Sequence, residues 1–269
     1  MAPSMKVQST SGHHVRIGFV VWARIWSAVF AVVFIGVTAL TICLWVTDPE
    51  YTETTPVSDL SFFALGAIIG LGFVNQLRTP ELNIAGVQQA VIGILSLGVA
   101  GLIGDRIEPL VGSLLFLLAA TVLLALHPSR RDFFKLSGRV SAPLGALSVL
   151  AAVPSFWYAA KMLALAADAG PSCFLGECAH GDRFAEMAAA AIAIVLVGLL
   201  AALRTQGSRI AVWSAGAAAV VIGAASIALP DAPGAIGQAW GALAVTWGVL
   251  LVTAGEWQAR QRSAFDGGQ

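Results

Sequence analysis

The sequence predicts an all-α integral membrane protein: eight transmembrane helices arranged as two parallel four-helix repeats, with both termini cytoplasmic. Three observations predict it. First, 58% of the 269 residues are hydrophobic and only 11% are charged, too little polar surface for a water-soluble fold of this length. Second, the apolar residues fall into eight blocks, each long enough to cross about 30 Å of hydrocarbon as a helix. Third, residues 64–85 recur at an offset of 126 as residues 190–211, with nine of 22 positions identical. The matches include the triplet Leu77-Arg78-Thr79 with Leu203-Arg204-Thr205, Gly72 with Gly198 and Ile84 with Ile210. At the same offset Asp105 falls on Asp231. A repeat of this kind marks a duplicated structural unit.

The blocks are Ile17–Val46, Leu60–Gln76, Ile84–Gly104, Leu110–Leu126, Ser141–Ala167, Met187–Leu203, Ile210–Leu229 and Ile236–Ala254. In lipid every backbone N–H and C=O must be satisfied within the segment, so these blocks are helices. None alternates with the period of two that an outer-membrane barrel requires. The first block is too long for a signal-peptide core and no small-x-small cleavage site follows it, so it is retained as a span. Around it, residues 1–16 form a polar tail. The first repeat covers 17–127, a basic linker 128–139, the second repeat 140–256 and a polar tail 257–269.

Within the first repeat, Trp22, Trp26 and Trp45 bracket the opening helix at its interfaces, and Arg24 snorkels inward. Cys43 is a small apolar filler. Gly66, Gly70 and Gly72 give the second helix a small-residue face. Pro80 breaks the return to the third helix, which carries Gln88, Gln89, Gly93, Gly98 and Gly101. In the second repeat Pro143 and Pro154 lie in the fifth helix, with a kink expected near the latter. Gly237 and Gly241 supply a small-xxx-small pair to the eighth.

Charge sets the orientation. With the N-terminus inside, 12 of the 15 Lys and Arg fall in inner segments, among them Arg78, Arg130, Arg131, Arg204 and Arg209. Arg106 and Arg183 are the outer ones, and Lys161 lies within a span. Eleven of the 15 acids fall outside. The Lys/Arg bias places both termini in the cytoplasm of a cell inner membrane. Four spans per repeat keep both copies the same way up, so the repeats are parallel, related by an axis along the membrane normal. The basic segments are a solvated cytoplasmic face, with no nucleic-acid partner implied.

The longest segment between blocks, Asp168–Glu186, has 19 residues, which leaves no room for a soluble catalytic or nucleotide-binding domain. The segment holds Cys173 and Cys178, which in an oxidising compartment close a disulfide ring. The competing pattern is a C-x4-C-x-H metal site completed by Asp182 or Glu186. Asp182 and Glu186 also suit the N-terminus of the sixth helix, with Asp182 as its cap. If they meet Asp105, Asp231 and His180, the five form an outer ring able to hold a divalent cation; otherwise no cofactor is predicted. Lys161 either snorkels to the outer surface or pairs with Asp168 or Glu186. Arg78 and Arg204, equivalent in the repeat, are inner anchors and C-terminal caps, or contacts to a phosphate or lipid headgroup.

Two fused four-helix units with an outer cysteine pair resemble the layout of the haem A synthases. That family ligates haem through histidines within its helices, whereas His13, His14, His127 and His180 lie at or beyond the membrane edges, and the resemblance stops at layout. No Lys in Trp240–Gly255 fits a retinal protein. No acid sits in the middle of a span, against a proton-coupled carrier. The expected function is to bind or transport an apolar or lipid-like ligand at the seam between repeats, or to serve as a membrane subunit of a complex. Its partners are then the lipid bilayer, an apolar small molecule or another membrane subunit. The alternative is a membrane-embedded enzyme working through a carboxylate–histidine metal site at the outer rim.

Overall fold

Each of the eight apolar blocks falls largely on one α-helix in the computed structural model, which describes residues 11–47, 56–77, 83–127, 129–134, 140–170, 179–205 and 207–266. The helices are α1 (Ser11–Thr47), α2 (Pro56–Val74), α3 (Ile84–Ile103), α4 (Ile107–Leu126), α5 (Ala142–Asp168), α6 (Ala179–Ala202), α7 (Arg209–Ala228) and α8 (Gln238–Asp266). Short 3-10 turns follow α2 at Asn75–Leu77 and α4 at Arg130–Asp132. Seven helices, α2 to α8, are long and apolar enough to cross a membrane. In α1 the apolar stretch among its described side chains is Gly18–Phe30, inside a helix of 37 residues.

Several helices overrun the apolar blocks. α6 starts eight residues before Met187, and α8 runs on through the expected tail to Asp266. Ser11–Arg16, expected as loose tail, are the first turns of α1. The chain stays helical there because Glu, Arg, Gln and Ala are good helix formers in water as well as in lipid. Pro143 lies in the first turn of α5, behind the cap of Ser141, whose hydroxyl accepts from the Leu144 N–H. Pro154 lies inside α5, which continues unbroken past it.

The pairing order repeats. In the first half α1 packs on α2, α2 on α3, α3 on α4, and α4 back on α1. In the second half α5 packs on α6, α6 on α7, α7 on α8, and α8 back on α5. The halves meet through their inner pairs, α2 against α7 and α6, and α3 against α6. Side chains reinforce the first half: the Ser27 hydroxyl donates to Phe73 O at 2.7 Å, and Gln89 Nε2 donates to Ile68 O at 2.6 Å. Phe30 stacks on Phe73 with centroids 5.3 Å apart and lies against Gly70. In the second half the Trp247 indole donates to Leu147 O at 2.8 Å, and the Tyr158 hydroxyl to Gly234 O at 2.7 Å.

Glycine sets the closest approach. A Cβ at Gly223 would meet Gly241 O at 2.6 Å, and one at Gly216 would meet Gly248 O at 2.8 Å. Gly216 and Gly223 on α7 thus pair with Gly248 and Gly241 on α8 at a seven-residue spacing, an antiparallel heptad seam. Gly237, expected to form a small-residue pair with Gly241, instead lies outside α8 with φ +79°. In α2, Gly72 presses on Gly86 O of α3, whereas its counterpart Gly198 presses on the Ser148 hydroxyl of α5.

α6 is the centre of the molecule. Met187, Ala188, Ala189, Ala190, Ala193, Val195 and Val197 are all fully buried. The outer helices α4, α5 and α8 turn large apolar residues outward instead, among them Leu118, Leu150, Val153 and Leu243, as lipid-facing helices do. Cys43, expected as buried filler, is exposed on α1. Ile68 and Ile69 on α2, and Ala190 and Ala193 on α6, the helices that meet between the halves, are all buried.

Two polar ends result. One, the acidic end, gathers the start of α2, the α3–α4 turn, the start of α6 and the α7–α8 turn. The other, the basic end, gathers the α2–α3 corner, Arg130, Arg131 and the α6–α7 corner. Gly207, two residues after Thr205, packs there against Asn83, the residue before α3.

Candidate functional site

At the basic end, where α6 stops, Arg204 adopts φ +53°. That left-handed position usually falls to Gly or Asn at a helix C-terminus, and it costs another residue about 1 kcal/mol. The turn it makes opens a cavity of about 330 Å³, near the lower end of the range for small-ligand pockets. Leu144, Ala201 and Val212 give it an apolar wall; Arg204, Thr205, Arg209 and Gln258 give it a polar mouth.

Arg204 is held in place. Its Nη2 donates to Gln258 Oε1 at 3.1 Å, and Gln258 Nε2 donates to the Ser141 hydroxyl at 2.6 Å. Arg204 Nε and the Thr205 hydroxyl are buried and have no hydrogen-bond partner among the described residues. Beside them α7 begins at Ser208–Arg209 with no side-chain cap, so the positive end of its dipole faces the same space. Arg209 itself is committed: Nε and Nη2 donate to the two Glu256 carboxylate oxygens, each at 2.7 Å, and the Trp213 indole donates to the same carboxylate. The arrangement offers one fixed cation, one hydroxyl and a helix N-terminus above an apolar wall. Those are the parts that bind the head of an anionic amphiphile.

At the acidic end Asp182 is 3% exposed and Arg106 is 2% exposed. The Arg106 guanidinium lies across Gly181, where any side chain would strike it. Both Asp182 carboxylate oxygens, and Arg106 Nε and Nη1, are without hydrogen-bond partners among the described residues. Asp182 feels the charges of Glu108 and Arg106, and Glu186 those of Asp182, Arg183, Glu108 and Asp59.

Asp182 lies within the first turn of α6 and not at its cap, because the helix begins at Ala179. Glu186 follows one turn later, half-buried. Asp105 and Asp231 are each exposed in a turn, Asp105 with φ +53°, a backbone conformation that Asp adopts more readily than most residues. Among the described residues no group of three or more His, Cys, Asp or Glu side chains converges as ligands for a metal ion. His180 is the second residue of α6, but its side chain, like Cys173, Cys178 and Arg78, lies outside the described residues. Lys161 is exposed near the acidic end of α5, a depth from which a lysine snorkels to water.

Sequence reasoning missed Arg106 and Glu108 as members of the Asp182 group, because a turn residue beside Asp105 reads as solvated. It also missed Gln258 and Ser141, which position Arg204. The chain matches no protein-family model, no curated protein and no solved structure.

Proposed function

We propose that this chain is an eight-span inner-membrane protein that binds an anionic, lipid-like molecule, with the head of the ligand in the Arg204 cavity and its tail along the apolar wall. The observation that carries the reading is the buried Arg204 Nε and Thr205 hydroxyl, without a hydrogen-bond partner among the described residues, at a cavity of about 330 Å³. The cavity lies at the basic end of the second half, and the proposed site moves there from the seam between the halves. Strain at Arg204 supports the same reading, since a left-handed non-glycine residue held at a cavity is a common mark of function.

In this reading the two halves are parallel copies and both termini are cytoplasmic, with Cys173 and Cys178 bonded on the opposite side. The equal pairing order within each half and the crosswise contact of inner helices support the duplication. The concentration of Lys and Arg at the basic end supports the orientation, and puts the cavity at the level of the cytoplasmic headgroups. A 37-residue α1 supplies the eighth span.

Native mass spectrometry of protein extracted in mild detergent tests the ligand. The wild type is expected to carry one anionic lipid adduct that Arg204→Ala loses without a change in unfolding temperature. Retention of the adduct by Arg204→Ala overturns the assignment. A co-purified polypeptide in place of lipid would favour a subunit of a larger complex.

A further inference from the structure

The Asp182 group at the acidic end takes no part in that cavity, and its composition is unusual for a protein interior. We propose that it is a proton-binding site, in which Asp182 and Glu186 take up and release one proton exchanged with water at the acidic end.

Three observations carry this. The first is geometric. Asp182, 3% exposed, and Arg106, 2% exposed, are buried beside each other across Gly181, yet neither oxygen of the first nor Nε or Nη1 of the second has a hydrogen-bond partner among the described residues. Buried polar groups are normally satisfied, and exceptions point to a bound species or a chemical role. Arg106 is not an acid, so its unpartnered nitrogens mark the place independently of the carboxylates.

The second is charge. α2 contributes Asp59, α4 contributes Glu108, and α6 contributes Asp182 and Glu186, against Arg106 from the α3–α4 turn and Arg183 from α6. The other charged groups on the elements packed around α6 at this end, Asp105, Lys161, Asp168 and Asp231, are all exposed, and water screens them. Among these acids Asp182 is the most deeply buried, and neither of its oxygens is hydrogen-bonded by a described residue. A buried carboxylate left charged and without a hydrogen bond costs several kcal/mol. A proton removes that charge and needs no ligand cage.

The third is position. Asp182 and Glu186 stand four residues apart on one helix, a spacing that puts their side chains one above the other. A proton arriving from water adds to one carboxylate oxygen, and the new O–H donates to a neighbouring carboxylate. On release the proton returns to water. No oxidant or co-reactant is needed.

Infrared difference spectroscopy on the full chain in lipid nanodiscs, between about pH 5 and about pH 10, is the test. The wild type should show the C=O band of a carboxylic acid that titrates over this range. D182N or E186Q should remove or shift it, while D231N, an exposed control, leaves it unchanged. Identical difference spectra for wild type, D182N and E186Q overturn the proposal. Should either variant fail to fold, the wild type alone decides. An apolar carbodiimide, which attacks protonated carboxyls, should label Asp182 or Glu186 in peptide maps, and less so as pH rises. Labelling at neither residue at any pH overturns it too.

Discussion

Arg204 combines a strained backbone with an incompletely bonded side chain, and the two can be separated. Arg204→Gly removes a left-handed penalty of about 1 kcal/mol and loses one hydrogen bond to Gln258 of similar worth. Its unfolding temperature should stay near that of the wild type while the lipid adduct disappears. A large drop in stability would mean that Arg204 is chiefly a structural cap. The Arg209–Glu256 pair makes the opposite case. Its bidentate geometry is good, but Arg209 is 68% exposed, and pairs in water contribute under about 1 kcal/mol. Glu256→Gln should hardly change the unfolding midpoint in denaturant, and any loss should shrink in high salt. At the acidic end Gly181→Ala places a methyl on the Arg106 guanidinium. Because Arg106 is buried and cannot simply swing away, a cost of about 1–3 kcal/mol is expected, read from the same unfolding curves.

At the level of helices, glycine positions sort by what faces them. Gly223→Ala drives a methyl against Gly241 O at 2.6 Å and Val245 N at 3.0 Å. Those are backbone atoms that yield only if α7 and α8 separate, so it should destabilise by about 1–3 kcal/mol. Gly112→Ala on α4 meets nothing within 4 Å. It should be neutral or gain up to about 1 kcal/mol from helix propensity. Equal effects of the two changes would refute the close seam. The seven-residue spacing of Gly216 with Gly223, and of Gly241 with Gly248, is plain in the sequence. What the sequence does not contain is register. Gly237 stands just as near Gly241, yet it belongs to the turn, and only the backbone decides which glycine meets a neighbour. Helix starts were illegible for a related reason. Apolarity reports the part of a helix that sits in lipid, so the apolar block begins at Met187, and Asp182, read as the cap, lies inside α6, which starts at Ala179. Arg204 was legible as one half of a repeated triplet, while its cavity depends on Gln258 from a distant helix.

For the molecule as a whole, the all-helical build was readable from hydropathy, since each apolar block falls on a helix. Asp105 and Asp231 align at the offset of 126, but a sequence offset carries no distance between side chains, and both lie exposed in turns. Orientation has a direct check. In a chain freed of native cysteines, Asp105→Cys and Asp231→Cys should react with an impermeant maleimide from one side of the membrane. Arg131→Cys and Arg260→Cys should react only from the other. Labelling of positions 105 and 231 from opposite sides would dismantle the parallel arrangement.

α6 carries Asp182 and Glu186 in its first two turns and ends at Ala202, two residues before Arg204, with close-packed neighbours on nearly every side. From Asp182 the helix runs 20 residues on to Ala202, roughly 30 Å at about 1.5 Å per residue. A stiff pushrod of that length has no slack. If charge at its head lifts or turns it, the tip must travel as well, and the grip on whatever lies beneath the tip would tighten or loosen with it.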